Sequence, residues 1–140
     1  MIDPSLALQE TLFQRLKHPQ TISELINIPV LNVLDTSRRP EAFPRVVIGD
    51  GHTQFPDYEN SFHIKTWADI HVWTRNEDLA SAKKIAGAVR EAIWKGPWTV
   101  EGHRCVNLLI EQSRFLREGK DYQHAVITVA AILQEEAQPR

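Results

Sequence analysis

The stretch from Phe62 to Arg75 constrains the fold of this chain more than any other. Apolar and polar residues alternate along it. One set comprises Phe62, Ile64, Ala68, Ile70 and Val72, and the other comprises His63, Lys65, Trp67, Asp69, His71 and Trp73. A period of two over this length is typical of one long strand, and a register shift of one residue would turn the whole apolar set to water. The segment therefore predicts a long strand with one face in the core.

The segment from Glu77 to Lys95 predicts a helix directly after this strand. Its apolar residues recur at steps of three and four and form one stripe, made of Leu79, Ala82, Ile85, Ala86, Val89 and Ile93. Thr74 or Asn76 is the predicted N-cap. Gly96 and Pro97 end the helix, because proline bars its continuation. A long strand with this helix on its apolar face is the predicted nucleus of the fold.

The other elements follow from local patterns. In chain order they are a helix at Pro4–Leu16, a helical turn at Ile22–Ile26, strands at Val30–Leu34 and Arg45–Gly49, a polar loop at Asp50–Ser61, a hairpin from Trp98–Val100 to Arg104–Ser113, a polar loop at Arg114–Asp121 and a strand at Tyr122–Leu133. This order predicts an α+β fold, with a mostly antiparallel sheet of four to five strands and two main helices packed on one face. We expect one domain over residues 1–140, with 136–140 frayed.

Composition excludes several classes of function. A net charge of −2 argues against nucleic-acid binding as the main function, because nucleic-acid-binding domains carry a strong excess of basic residues. The single cysteine, Cys105, cannot form an internal disulfide, and the N-terminus lacks the pattern of a signal peptide. These features predict a soluble protein of the cytosol, or of a particle assembled there.

The polar set of the long strand is the most informative surface. If both helices cover the apolar face, Trp67, His71 and Trp73 remain on the opposite one. Large aromatic side chains are enriched where proteins meet, so this pattern indicates an oligomer. The alternative is a loop of the same chain that folds over the tryptophans.

No pattern predicts catalysis or a metal site. His63, Asp69 and His71 share a strand face, but alternate side chains on a strand are roughly 7 Å apart, and no third ligand follows from the sequence. Cys105 has no activating base nearby in sequence and is interpreted as an inert thiol. We therefore expect no catalytic residues, no cofactor and no metal.

The order of the parts resembles a known family. Phe43-Pro44 opens the strand VVIGD, and the long strand ends in IHVWTR. The helix AKKIAGAVREAI, the hairpin VEGHRCVNLLIEQSRFLRE and the apolar strand HAVITVAAIL follow. This sequence of elements, from about Leu6 to Leu133, is similar to the tail-completion or tail-terminator proteins of long-tailed phages, prophages and gene transfer agents. Residues 17–40 match that pattern poorly.

The resemblance implies a structural virion protein that is not an enzyme. Such subunits close into a ring, typically a hexamer, which caps the tail tube, stops its polymerisation and joins tail to head. The implied partners are other copies of the chain, the tail tube protein and the head–tail connector, while DNA passes through without specific binding. In this chain, we expect the contacts between subunits to be made by Trp67, His71, Trp73 and Arg75. The expected tail or connector contacts are the loop residues His52, Phe55, Tyr58, Arg114, Arg117 and Lys120.

Three other functions remain open from the sequence. The first is a stopper or neck connector on the head side of the particle. The second is a small enzyme that uses His71 and Asp69, and the third is a dimeric binding module of the host.

Overall fold

The computed structural model of the chain describes residues 3–17, 25, 28–32, 43–55, 63–75 and 78–135. In these parts the elements are α1 (Pro4–Lys17), β1 (Val30–Asn32), β2 (Arg45–Gln54), β3 (His63–Arg75), α2 (Leu79–Trp94), β4 (His103–Glu118) and β5 (Tyr122–Glu135). The strands form one sheet in the order β1-β2-β3-β5-β4. β1 runs parallel to β2, and all other neighbours are antiparallel. The predicted α+β class with a mostly antiparallel sheet is confirmed.

The long predicted strand is β3, and it lies at the centre of the sheet. It pairs with β5 along its whole length, from His63 opposite Gln134 to Arg75 opposite Tyr122. Its even-numbered residues from Ile64 to Thr74 are buried, while the odd-numbered residues between Lys65 and Trp73 are half-buried. The alternation predicted from the sequence is thus present, and it gives the sheet two distinct faces.

The main core lies on the even-numbered face of β3, which we call the inner face. The sheet supplies Ile48, Ile70, Val72, Ile127, Val129 and Leu133 to it, and the helices supply Leu8, Leu12, Leu16, Ala86, Val89 and Ile93. Burying one leucine or isoleucine side chain contributes about 1.5–3 kcal/mol, so this one cluster provides most of the driving force for folding.

The start of α2 differs from the prediction. Asp78 is the N-cap, and its Oδ1 accepts a hydrogen bond from the Ser81 backbone N–H at 3.1 Å. The assignment to Thr74 was wrong, because Thr74 continues β3 inward and donates a buried hydrogen bond to Gln123 at 3.1 Å. Asn76, the other candidate, lies outside the described residues.

Arg15 ties α1 to the end of α2. Its guanidinium donates to the backbone carbonyls of Ala92 at 3.1 Å, of Pro97 at 2.9 Å and of Lys95. The same group lies 3.8 Å from the ring centre of Trp98. A cation at the C-terminal end of a helix satisfies the last carbonyls and opposes the negative end of the helix dipole.

Both predicted polar loops are partly wrong. Residues 50–54 of the first loop continue β2, with a register shift between Ile48 and Gly51, and 56–61 lie outside the described residues. In the second loop, residues 114–118 continue β4, so the turn begins only after Glu118. The second segment is polar because β4 is an edge strand and many of its side chains are solvated by water.

The predicted hairpin is reduced to a single bridge. Val100 pairs with His103 across the turn at Glu101-Gly102, but β4 then pairs with β5. The predicted strand at Val30–Leu34 is observed as β1 over Val30–Asn32, and its last two residues lie outside the described residues. The predicted turn at Ile22–Ile26 also lies outside them, apart from Leu25. No helix in the described segments is long and apolar enough to cross a membrane.

Candidate assembly surface

The side of the sheet opposite the inner face carries the predicted aromatic residues, and we call it the outer face. Trp67, His71 and Trp73 lie there on β3, directly opposite Ala130, Val126 and His124 of β5. Since directly opposite residues of paired strands point to the same side, β5 contributes its even-numbered residues to this face. The sequence pattern therefore placed the β3 residues on the correct side.

The outer face has a buried layer of its own. Val47, Val126 and Ala130 are 5%, 3% and 1% exposed, although they do not belong to the helix-side core. They are small, and they alternate with larger side chains of the neighbouring strands. The half-buried rings of β3 therefore rest on a layer of small residues and do not project freely into solvent.

Trp67 is held by polar and stacking contacts. Its Nε1 donates a hydrogen bond to Glu111 Oε2 at 2.9 Å, and the His52 ring stacks on the indole with centroids 4.3 Å apart. Lys65 pairs with Glu111 at 3.2 Å and lies 4.7 Å from the indole centre. The hydrogen bond from Trp67 is the main cause that lowers the pKa of Glu111. These contacts fix the orientation of the indole before any partner arrives.

A second cluster surrounds His124. Its ring stacks on Trp73 with centroids 3.8 Å apart and planes 11° apart. Its Nε2 lies 2.7 Å from Nδ1 of His71, which is a short hydrogen bond between two imidazoles. Its other nitrogen, Nδ1, lies 3.4 Å from Glu118 Oε1. We call His71 and His124 the histidine pair.

Burial keeps the histidine pair neutral. Burial lowers the pKa of His71, against the opposing effects of Asp69 and Asp50. Burial, and then the proximity of His71, lowers the pKa of His124, against the opposing effect of Glu118. Both imidazoles are therefore uncharged at neutral pH, and a neutral aromatic surface costs less to desolvate than a charged one.

Asp69 and His71 form hydrogen bonds with other partners on this surface and not with each other as a catalytic dyad would. Asp69 accepts a hydrogen bond from Thr128 at 2.8 Å, while the histidine pair occupies Nδ1 of His71. Among the described residues, no three His, Cys, Asp or Glu side chains group as metal ligands. Away from this face, burial raises the pKa of Cys105, which opposes formation of its thiolate. The arrangement suits docking of another surface better than chemistry.

Four of the six predicted tail and connector contacts lie toward two ends of the sheet. His52 and Phe55 lie at the end of β2, where Phe55 is 60% exposed. Lys120 follows β4 at the opposite end. Arg114 and Arg117 belong to β4 and not to a loop, and Arg114 shares the outer face because it is opposite Val126. Tyr58 lies outside the described residues, and Arg75 ends β3 beside Tyr122.

Two residues of the surface were missed by sequence reasoning. Neither His124 nor Glu111 belongs to the polar set of the long strand from which the subunit contacts are predicted. Both meet β3 residues only through pairing with β5 and β4, since His124 is 53 positions from His71 and Glu111 is 44 from Trp67. The alternation of β5 could have placed His124 on a face, but not opposite Trp73.

Comparisons with known proteins agree on one family. The family model described as "Tail completion protein gp17" matches residues 10–134. The tail completion protein gp17 of Bacillus phage SPP1 is 31% identical over 98 residues, which are 70% of this chain and 69% of that protein.

Solved structures show the same fold. A chain in the virion of the native gene transfer agent particle superposes with a TM-score of 0.78, over 96% of this chain and 99% of its own length, at 21% identity. The structure of bacteriophage SPP1 gp17 superposes with a TM-score of 0.54, over 96% and 94% of the two chains, at 26% identity.

Proposed function

Because this chain belongs to the tail completion protein gp17 family, we propose that it forms a ring of identical subunits that caps a tail tube. Family membership makes it a structural tail protein of the virion and not an enzyme. The ring, its expected hexameric size and its effect on tube growth go beyond membership and are our proposal. The observation that supports them is the preorganised aromatic outer face, which neither helix covers.

A ring of this kind uses head-to-tail contacts, in which one patch of a subunit meets a different patch of the next. The outer face supplies the first patch, with Trp67, His71 and Trp73 at its centre and Arg75 at its end. Preorganised tryptophans suit this role, because a side chain already held in place loses little conformational entropy on docking.

The two ends of the sheet suit two different partners. The thirteen residues of β3 separate the end near Phe55 from the end near Lys120 by about 40 Å, at roughly 3.3 Å per residue. We propose that one end contacts the tail tube protein and the other the head–tail connector. His52 and Phe55 belong to the first end, and Arg117 and Lys120 to the second. DNA passes through the ring without specific binding, in keeping with the net charge of −2.

The test uses tail tubes that lack their completion protein. Purified chain is added, tube ends are imaged by electron microscopy, and further tube protein is supplied. We expect a ring at one tube end and no further elongation. Tubes that keep bare ends and continue to grow would contradict the proposal, and binding to connectors alone would indicate a head-side protein.

A pair of tryptophan variants locates the contact. Trp73→Ala should reduce the fraction of capped tubes at least tenfold, because a central interface tryptophan contributes about 2 kcal/mol or more. Trp94→Ala is the matched control, since this indole is 81% exposed at the end of α2 and is not on the outer face. Capping that survives Trp73→Ala and is lost in Trp94→Ala would place the contact on the helical side.

A further inference from the structure

The hydrogen bonds of the histidine pair limit the number of protons that the two rings can bind while they remain bonded to each other. Ionised Glu118 can only accept a hydrogen bond, so Nδ1 of His124 is the donor toward it. Nε2 of His124 is then an acceptor, and His71 donates to it through Nδ1 at 2.7 Å. A first proton can be added only at Nε2 of His71. A second proton would have to enter the bridge itself and would place two cations in contact.

The surroundings oppose even the first proton. The charged groups that act on the pair come from three strands: Asp50 on β2, Asp69 on β3, and Arg114 and Glu118 on β4. The carboxylates favour the charged form of the histidines and Arg114 disfavours it. Burial is the largest effect on both imidazoles and acts against charge, since His124 is only 8% exposed.

We propose that the histidine pair is a proton-sensitive switch on the outer face, which docks a neighbouring subunit when the pair is neutral and releases it when the pair takes up a proton. This inference rests on the proposed function, because it concerns the face that forms the ring. A docked neighbour removes the remaining water from His71 and Trp73, so the charged pair is less stable in the ring than in the free subunit.

Thermodynamic linkage gives the size of the effect. If docking requires the pair to be neutral, each association releases one proton whenever the free pair is charged. Affinity for the neighbour then falls about tenfold for each pH unit below the upper apparent pKa of the pair. Burial places that pKa below the ordinary histidine value of 6.5, so the switch operates on the acid side of neutrality.

The experiment measures tube capping by the full chain between about pH 7.5 and pH 5, with circular dichroism at each pH to confirm that the chain is folded. We expect half-maximal capping to need about tenfold more protein for each unit of acidification once the pair titrates. His71→Asn should flatten this profile relative to its own capping at pH 7.5, because the asparagine amide lies near the position of Nδ1 and donates to His124 without titrating.

Two further variants separate the explanations. His124→Gln leaves Nε2 of His71 available for the first proton, so its profile should keep the slope of the wild type with a shifted midpoint. His63→Asn is the matched control, since His63 starts the same strand, is exposed, and lies outside the pair, so its profile should follow the wild type. A profile that is flat in the wild type, or as steep in His71→Asn as in the wild type, would overturn the switch. An absence of capping at every pH would instead contradict the ring itself.

Discussion

Replacing Gly51 by alanine tests the register that places Trp67 on the outer face. Gly51 lies opposite Ala68 at the point where the β2–β3 register shifts. A Cβ atom built on Gly51 would lie only 2.3 Å from the carbonyl oxygen of Trp67. That oxygen belongs to the backbone of the central strand, so no side-chain rotation can relieve the contact. Alanine therefore forces the two strands apart.

The size of the penalty follows from this geometry. Ordinary contact requires the Cβ and the oxygen to move apart by about 1 Å, and overpacking of this kind costs about 1–3 kcal/mol. Alanine also lowers the entropy of the unfolded chain, which offsets about 0.4–1 kcal/mol only where the folded site accepts it. We expect a net loss of about 2 kcal/mol in the free energy of unfolding.

Urea denaturation followed by circular dichroism measures this loss. With a slope of about 2 kcal/mol per molar urea, the midpoint should fall by about 1 M. Gly87→Ala is the matched control, because Gly87 is exposed within α2 and a Cβ there meets nothing within 4 Å. This control should gain about 0.5–1 kcal/mol from helix propensity. An unchanged or higher midpoint for Gly51→Ala would refute the β2–β3 register.

The remaining predictions concern stability. Ile70→Ala should cost about 2–5 kcal/mol, because Ile70 is fully buried in the core, and a thermal melt within error of the wild type would show that the two faces are inverted. Asp78→Ala should cost about 1 kcal/mol through the lost N-cap of α2, as a lower urea midpoint; an equal midpoint would mean that the Ser81 N–H finds another acceptor. Burial lowers the pKa of His71 and His124 in the folded chain, so the unfolded chain binds more protons as the pH falls below about 6.5. Stability is therefore fully present above 6.5 and decreases toward the folded-state values. Urea midpoints measured between pH 7.5 and 5 check this, and midpoints that rise on acidification would contradict it.

The long strand and the second helix could be predicted because each has one buried face and one more exposed face, which produces a regular pattern in the sequence. β3 and α2 each bury one side along their whole length, so their sequences repeat at the spacing of strand and helix. β5 is apolar on both sides for a reason that the structure explains. Its odd-numbered residues enter the main core, and Val126 and Ala130 form the buried layer of the outer face.

The edges of the sheet could not be predicted by the same reasoning. Arg114 and Arg117 lie on β4, where water solvates side chains that would be costly in a central strand. Their charge was interpreted as a loop signal. The strand is specified instead by its pairing with β5, which extends from Arg117 opposite Gln123 back to His103 opposite Glu135 and includes two register shifts. Such pairing joins residues far apart in the sequence and leaves no short-range pattern.

The candidate surface, too, could be predicted from the sequence only in part. Alternation within β3 was sufficient to place Trp67, His71 and Trp73 together on one face. Their partners depend on the register between strands. His124 comes opposite Trp73 through the pairing of β3 with β5, which are separated in the sequence by α2 and β4. A sequence therefore indicates which residues share a surface, but the contacts that give the surface its chemistry appear only when the strands are paired.

The half-burial of the outer face determines how its variants should be interpreted. Because the Trp73 indole stacks on His124 within one subunit, its removal lowers the stability of the subunit as well as any contact with a neighbour. A fall in capping is therefore informative only where it exceeds the fraction of chain that unfolds. For a protein several kcal/mol stable, a loss of about 1 kcal/mol leaves nearly every molecule folded, while a tenfold loss of capping requires about 1.4 kcal/mol from the interface alone. The two effects are thus separable by measuring stability and capping on the same sample, and only a surface with a role in assembly lowers the second without depleting the folded subunit.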